Sequence, residues 1–286
     1  MLLRPKRLST SPNWHGHLPF GLWLVHTLRP QLIVELGVLQ GDSYCTFCQA
    51  TQAAGLESQC FGVDTWAGDE HTGPYTETVY AELKAYHDPL YGHFSTLLRQ
   101  MFDDALPRFK NGSVDLLHID GLHTYDAVRH DFETWRPKLS NRAVVLFHDC
   151  TEIQATFGVW RYWHELCRQY PHFTFHHSHG LGVLAVGKDI PEAVAPLFAA
   201  GPSDTPSIRH IFENLGAAVQ RKDIPQKSSG ELTGETLNAF LKELQQDKCH
   251  VLVRGYGRQH LRFTGKRLSR VESMVRRFIK GTNKGT

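Results

Sequence analysis

Short apolar runs recur through the first two-thirds of the chain, each followed by a stretch with helical spacing. Pro19–Leu28 carries apolar residues on a helical repeat and stops at Arg29-Pro30, because the residue before a proline is driven out of the helical region. It feeds into Leu32-Ile33-Val34-Glu35-Leu36, an apolar run ended by Gly37. A helix is predicted from about Ser43 to Ala54, a strand at Cys60–Asp64, a helix over Glu77–Tyr86 and a weak strand at Leu97–Phe102. Val114–Ile119 is the clearest strand and precedes a helix at Tyr125–Leu139. Ala143–Phe147 is another buried strand, Val159–Tyr170 another helix, and His172–His176 and Leu181–Val186 are two closing strands. Strands that are apolar throughout, alternating with helices, belong to a sheet buried on both faces. The predicted fold is therefore α/β: a doubly wound, mostly parallel, seven-stranded sheet with helices on both faces and an antiparallel last strand.

After Lys188 the pattern weakens. Pro191, Pro196, Pro202, Pro206 and Pro225 interrupt it, 226–234 reads as loop, and shorter helical segments fall near Thr236–Gln246 and Leu268–Ile279. The expected organisation is one domain over 1–188 and a C-terminal helical appendage over 189–286.

Composition narrows the class. A chain of 286 residues, 41% hydrophobic and 21% charged, has ample material for a core. Its longest apolar run, around Gly21–Val25, is far short of the ~20 residues that span a bilayer. The opening MLLRPKRLST lacks the apolar centre of an export signal, and six cysteines in a chain this long do not suggest a disulfide framework. Cys45 and Cys48 read as buried thiols on one helix face. A reducing cytoplasm is the expected location. The net charge of +2 conceals a split: residues 254–286 carry +9 and the remainder −7. That balance gives no reason to expect a nucleic-acid partner. The basic segment sets Leu268, Val271, Val275, Phe278 and Ile279 on one side of a helix among lysines and arginines. Such a helix suits an anionic membrane surface or a partner enzyme of glycan assembly, and equally a solvated face packed on its own domain.

Chemistry concentrates at strand ends. Gly37 and Gly41 lie where the first strand meets the following helix; glycine admits close backbone approach there, and the helix start offers N–H groups. Asp64 ends the second strand, where a carboxylate can accept from both hydroxyls of a ribose. Leu39 occupies the place of the second glycine of a dinucleotide fingerprint, which argues against a nicotinamide enzyme. His118-Ile119-Asp120-Gly121-Leu122-His123 follows one strand and Phe147-His148-Asp149 the next. Adjacent parallel strands bring these ends together, so Asp120, His123, His148 and Asp149 can face one another at the carboxyl edge. Two carboxylates and imidazole suit a divalent cation, and an imidazole not bound to it suits general-base work. Capping of the following helices is the structural alternative for both aspartates. Asp131 lies inside a helix and reads as structural, and Trp160, Tyr162 and Trp163 read as core. The loop Asp64–Tyr75, with Trp66, is long and polar-aromatic, as a lid over a cofactor would be.

The stretches VELGVLQGDSY, FGVDTWAGDEHTG, LLHIDGLHTYDAVRHDFETWRPKLS, VVLFHD and GLGVLAVG together resemble the class I S-adenosylmethionine-dependent methyltransferases. The likeness is to the metal-dependent sugar O-methyltransferase and cephalosporin-hydroxylase-type branch, and covers roughly residues 17–188. The resemblance implies that Glu35, Gly37 and Gly41 lie against the methionine part of S-adenosylmethionine and that Asp64 binds its ribose; Trp66, in the lid loop, is a further cofactor-binding candidate. It also implies that Asp120 and Asp149 ligate a Mg²⁺-like ion, with His123 as catalytic base. His148 stands where relatives with the best-defined metal site carry an acidic residue, and is the further candidate ligand. The expected reaction is methyl transfer to a hydroxyl of a sugar or glycan. A metal-dependent hydrolase and a non-catalytic glycan-assembly module are the alternatives, and a homo-oligomer is compatible with either.

Overall fold

The computed structural model describes residues 4–221. A short 3₁₀ turn at Pro12–His17 precedes α1 (Leu18–Leu28), which enters β1 (Leu32–Leu36), α2 (Asp42–Ala53) and β2 (Gln59–Asp64). A two-stranded hairpin of β3 (Gly68–Asp69) and β4 (Gly73–Pro74) follows, then α3 (Glu77–Tyr91), β5 (Ser95–Arg99) and α4 (Phe102–Ala105). The chain continues through β6 (Val114–Ile119), α5 (Tyr125–Trp135), β7 (Leu139–His148), α6 (Val159–Leu166), β8 (His172–Phe175) and β9 (Leu181–Ala185). The described residues close with α7 (Ala195–Phe198) and α8 (Thr205–Gln220).

The seven-stranded sheet has the order β5-β2-β1-β6-β7-β9-β8, and β9 alone runs against its neighbours. This is the predicted fold. One face packs Val34, Leu36, Leu117, Ile119, Val145 and Phe147 against Phe132 and Trp135 of α5 and Tyr162 and Trp163 of α6. The other face lies toward α1 and α2, where His118 of β6 meets Phe47 edge-on at 5.8 Å. Cys45 and Cys48 are buried free thiols, as expected.

Boundaries moved where tertiary contacts outrank local pattern. β7 begins four residues before its apolar run because Leu139 pairs with Val114, with a register shift before Leu116 meets Val144. α3 runs on to Tyr91, since Pro89 falls in its last turn and Leu83, His87 and Tyr91 share a buried face. The larger difference is α8, where the sequence reads as broken by proline. Pro206 sits in its first turn, where no N–H partner is needed, and Ile208, Phe212 and Val219 form its buried side. Phe212 packs edge-on against Phe20 at 5.3 Å and lies 5.8 Å from Trp23 and 5.6 Å from Phe175. No helix among the described residues is long and apolar enough to cross a membrane. The helical segments expected at Thr236–Gln246 and Leu268–Ile279, and the basic segment from 254 onward, lie outside the described residues.

Because Phe212 joins α8 to both α1 and β8, Phe212→Ala should cost about 3–5 kcal/mol of unfolding free energy. A urea midpoint within experimental error of the wild-type value would show that α8 does not belong to the cooperative unit.

Candidate active site

β1 ends in a turn that only glycine can make. Gly37 has φ of 85°, and a Cβ there would lie 2.1 Å from the Asp120 carbonyl oxygen. Gly41 has φ of 81° and abuts Leu83. Asp64 closes this turn from inside. Its Oδ2 accepts the N–H groups of Val38 (2.8 Å) and Leu39 (2.9 Å), and its Oδ1 accepts that of Trp66 (2.7 Å). The Trp66 indole donates back to the Leu39 carbonyl at 2.9 Å. Asp64 and Trp66 are thus builders of the glycine turn, and three of the roughly four acceptor positions of a carboxylate are already taken. Glu35 stands behind the turn, fully buried: Ser43 Oγ donates to it at 2.7 Å, and His118 Nδ1 lies 3.1 Å away. Burial raises the Glu35 pKa despite the neighbouring imidazole.

A cavity of about 520 Å³ opens over the carboxyl edge, lined by the turn, by Asp64, and by Asp120, His123, His148 and Asp149. Register explains the convergence. Ile119 of β6 pairs with Phe147 of β7, so Asp120 and His148 leave the sheet side by side. Asp149 then takes φ of 56°, a left-handed conformation that aspartate tolerates better than most side chains. His123 Nε2 lies 2.9 Å from Asp149 and 3.8 Å from Asp120. His148 Nδ1 lies 3.1 Å from Asp149 and 3.2 Å from Asp120, and its Nε2 donates to the Ser178 carbonyl at 3.1 Å. Ligand atoms of Asp120, His123 and Asp149 all fall within 4.8 Å of one another.

Electrostatics follow from that packing. Burial alone would raise the Asp120 and Asp149 carboxyls, but the charge of His148 and hydrogen bonds from His123 and His148 hold both well below the usual range. Desolvation opposes protonation of His148, and the two carboxylates overcome it, so its pKa is raised well above normal. His123 is likewise desolvated, yet its bonds to Asp120 and Asp149 push it up to about 9.

Three parts of this cavity escaped the sequence reading. Trp14 lines it, donating from Nε1 to His118 Nε2 at 3.2 Å. The preceding segment straps the glycine turn from outside: Ser9 N–H donates to Asp42 at 2.8 Å and Arg7 donates to the Gln40 carbonyl. From the β3–β4 hairpin and the loop before α6, His71 and Phe157 stack beside His123. The run Pro12-Asn13-Trp14-His15-Gly16-His17 was the available signal for the first of these. His71 lies in the Asp64–Tyr75 loop read as a lid, where nothing singles out that residue, and Phe157 sits in no pattern that marks it.

Residues 34–150 match the family described as a methyltransferase domain. That stretch, from β1 to the residue after Asp149, is similar to a methyltransferase domain. Among curated proteins, the uncharacterized protein y4gI of Sinorhizobium fredii is 52% identical over 196 residues, which is 68% of this chain and 22% of that protein. The chain thus spans about a fifth of that relative's length. Among solved structures, the O-methyltransferase TomG of Streptomyces achromogenes, involved in tomaymycin synthesis and determined with S-adenosylmethionine, is similar at 13% identity. That match covers 65% of this chain and 92% of TomG with a TM-score of 0.47. The calicheamicin methyltransferase CalS11 is 20% identical over 60% of this chain and 78% of its own, with a TM-score of 0.48.

Asp131 of this domain is buried on α5, and desolvation pushes its carboxyl up to about 7. A carboxyl raised in the folded state binds its proton more tightly there than when unfolded, so its contribution to stability is lost as pH rises from about 4 through 7. Asp131→Asn removes this loss. Relative to wild type, the variant should gain about 2–3 kcal/mol between pH 5 and pH 8 in urea unfolding, one proton over two pH units at ~1.4 kcal/mol each. An equal difference at both pH values would refute the buried charge.

Proposed function

We propose that this domain transfers a methyl group from S-adenosylmethionine to a hydroxyl of a sugar or glycan, with Asp120, Asp149 and His148 holding a divalent cation and His123 taking the acceptor's proton. The observation that carries this reading is the contact of two different sites in one cavity. The glycine turn, fixed by Asp64, abuts the Asp120 backbone, while the Asp120 carboxylate joins the cluster.

Gly37 lets the turn lie tight against the Asp120 backbone, where a Cβ would clash, and the turn from Gly37 to Ser43 lines the cavity where a cofactor would sit. Asp64 Oδ1 keeps acceptor capacity toward a ribose hydroxyl. Met101, Phe102 and Leu122 offer an apolar wall for a flat base. The donor set also fits a cation: two ionised carboxylates, and a His148 ring whose Nε2–H is committed to the Ser178 carbonyl, leaving Nδ1 toward the aspartates. When bound, a divalent cation would hold acceptor oxygens and lower their pKa. It would also replace protonated histidine as the partner of Asp120 and Asp149, freeing His123 for base work. In the transfer itself the acceptor oxygen attacks the methyl carbon and the carbon–sulfur bond breaks with its electrons passing to sulfur. The hydroxyl proton passes to His123. The sulfonium is already an activated electrophile, so what remains for the protein is alignment and proton removal.

The acceptor class rests on the likeness to sugar O-methyltransferases and on a cluster suited to vicinal hydroxyls. We also propose that the domain works in the cytoplasm, with the basic segment beyond residue 254 drawing it to an anionic membrane or to a glycan-assembly partner.

Asp120→Asn should lower methyl transfer to a nucleotide-sugar or glycan acceptor at least about 100-fold and leave S-adenosylmethionine affinity by calorimetry within about threefold. Chelation of divalent cations should reproduce the loss. Wild-type turnover in Asp120→Asn would sink the metal role, and failure of the wild-type chain to bind S-adenosylmethionine would end the methyl-transfer reading. Removal of residues 264–286 should reduce co-sedimentation with phosphatidylserine vesicles; unchanged partitioning would count against membrane contact.

A further inference from the structure

Building on the methyl-transfer reading, we propose that His71 is a positioning residue for His123. It holds the Nδ1 edge of that imidazole from the β3–β4 hairpin, while Phe157 covers both rings. His71 Nδ1 lies 3.4 Å from His123 Nδ1. The two rings stand side by side, 5.6 Å between centroids and 21° from coplanar. Phe157 stacks on each at 4.8 Å, inclined 16° to His71 and 5° to His123. The hairpin tip is itself fixed, since Asp69 Oδ1 accepts the N–H groups of His71 (2.9 Å) and Thr72 (2.8 Å).

The arrangement answers a specific need of a catalytic imidazole. Rotation about χ2 of histidine is broad and roughly two-fold, and a half-turn exchanges nitrogen for carbon at each edge. Asp149 meets Nε2 and Phe157 fixes the ring plane; the contact at Nδ1 adds a second nitrogen-specific penalty on the flipped ring, at the edge Asp149 does not reach. Packing alone does not account for histidine at position 71. Its Nε2 is buried without a hydrogen-bond partner, an unfavourable state that phenylalanine would avoid while filling the same space. The nitrogen facing His123 is the feature that only a hydrogen-bonding residue supplies.

The test uses the full chain labelled with ¹⁵N-histidine. A scalar coupling across the hydrogen bond between His71 Nδ1 and His123 Nδ1 is expected in the wild type and absent in His71→Phe. In the transfer assay His71→Phe, which keeps the stack, should lower kcat by about tenfold or more, with KM for S-adenosylmethionine within about twofold of wild type. His71→Asn, whose side-chain amide places a polar atom near Nδ1, should recover most of the loss. Kinetics of His71→Phe within twofold of wild type would overturn the assignment, and so would absence of the coupling in the wild type. Should no acceptor be methylated by any form, the methyl-transfer reading fails alone. The wild-type coupling and its loss in His71→Phe would still support the hold on His123.

Discussion

Two carboxylates that must remain ionised at the ends of neighbouring strands are the constraint on which the site depends. Asp120 and Asp149 repel each other where little water screens them, and the imidazoles of His123 and His148 stand against them. His148 lies between the pair, and holding a buried imidazolium there requires an acceptor for its far nitrogen. That acceptor is the Ser178 carbonyl, which His17 Nε2 also approaches at 3.1 Å. The loop presenting it has three consecutive residues at positive φ: Ser178 (46°), His179 (67°) and Gly180 (87°). Left-handed backbone at two non-glycine positions costs energy of order 1–3 kcal/mol each and persists only when surrounding contacts over-determine it. The carbonyl this loop presents is thus shared by His148 and His17, two of the contacts that hold the loop.

What could be read in the sequence was what period and strand ends encode. β1, β2 and β6 are apolar through their length, so their direction and their carboxyl ends were plain, and with them Gly37, Asp64 and Asp120. The closeness of Asp120 to His148 and Asp149 followed from adjacency of parallel strands, and the Ile119–Phe147 register realises it. Other features depend on contacts with no local trace. α8 is stabilised by Phe212 among Phe20, Trp23 and Phe175, so its prolines outweighed its weak pattern on the page. His71 and Phe157 meet from two loops 86 residues apart in sequence. Asp64 shows a subtler gap. Its position at a strand end was evident, but its commitment to the N–H groups of Val38 and Leu39 was not, because that bond exists only when the turn has formed.

That commitment changes what Asp64 does. A glycine turn with free N–H groups would have to be ordered by its ligand, with entropy lost on binding. Here Asp64 and Trp66 hold the turn from one side, and Arg7 and Ser9 hold Gln40 and Asp42 from the other. The N-terminal strap is in turn seated by Trp14, whose indole reaches His118 and, through that ring, faces Glu35 in the sheet. Residues before the first helix are therefore part of the wall of the cavity, and α8 packs against the same 3₁₀ turn that carries Trp14.

One contact links this preformed turn to the charged cluster. A Cβ at Gly37 would lie 2.1 Å from the carbonyl oxygen of Asp120, and the Asp120 N–H donates to the Leu36 carbonyl at 2.8 Å. The residue that opens the turn and the residue that anchors the cluster are thus in backbone contact across β1 and β6, with no side chain or mobile loop between them. In-line displacement tolerates little error in the separation of donor and acceptor. A donor seated on the turn and an acceptor seated on the cluster would have their spacing set by two paired strands, the most rigid part of the fold. The parts drawn from loops, His71 and Phe157, stack beside His123 and line the same cavity. Pairing of β1 with β6 would thus set the donor–acceptor distance, while residues from two loops would set the orientation of the His123 ring.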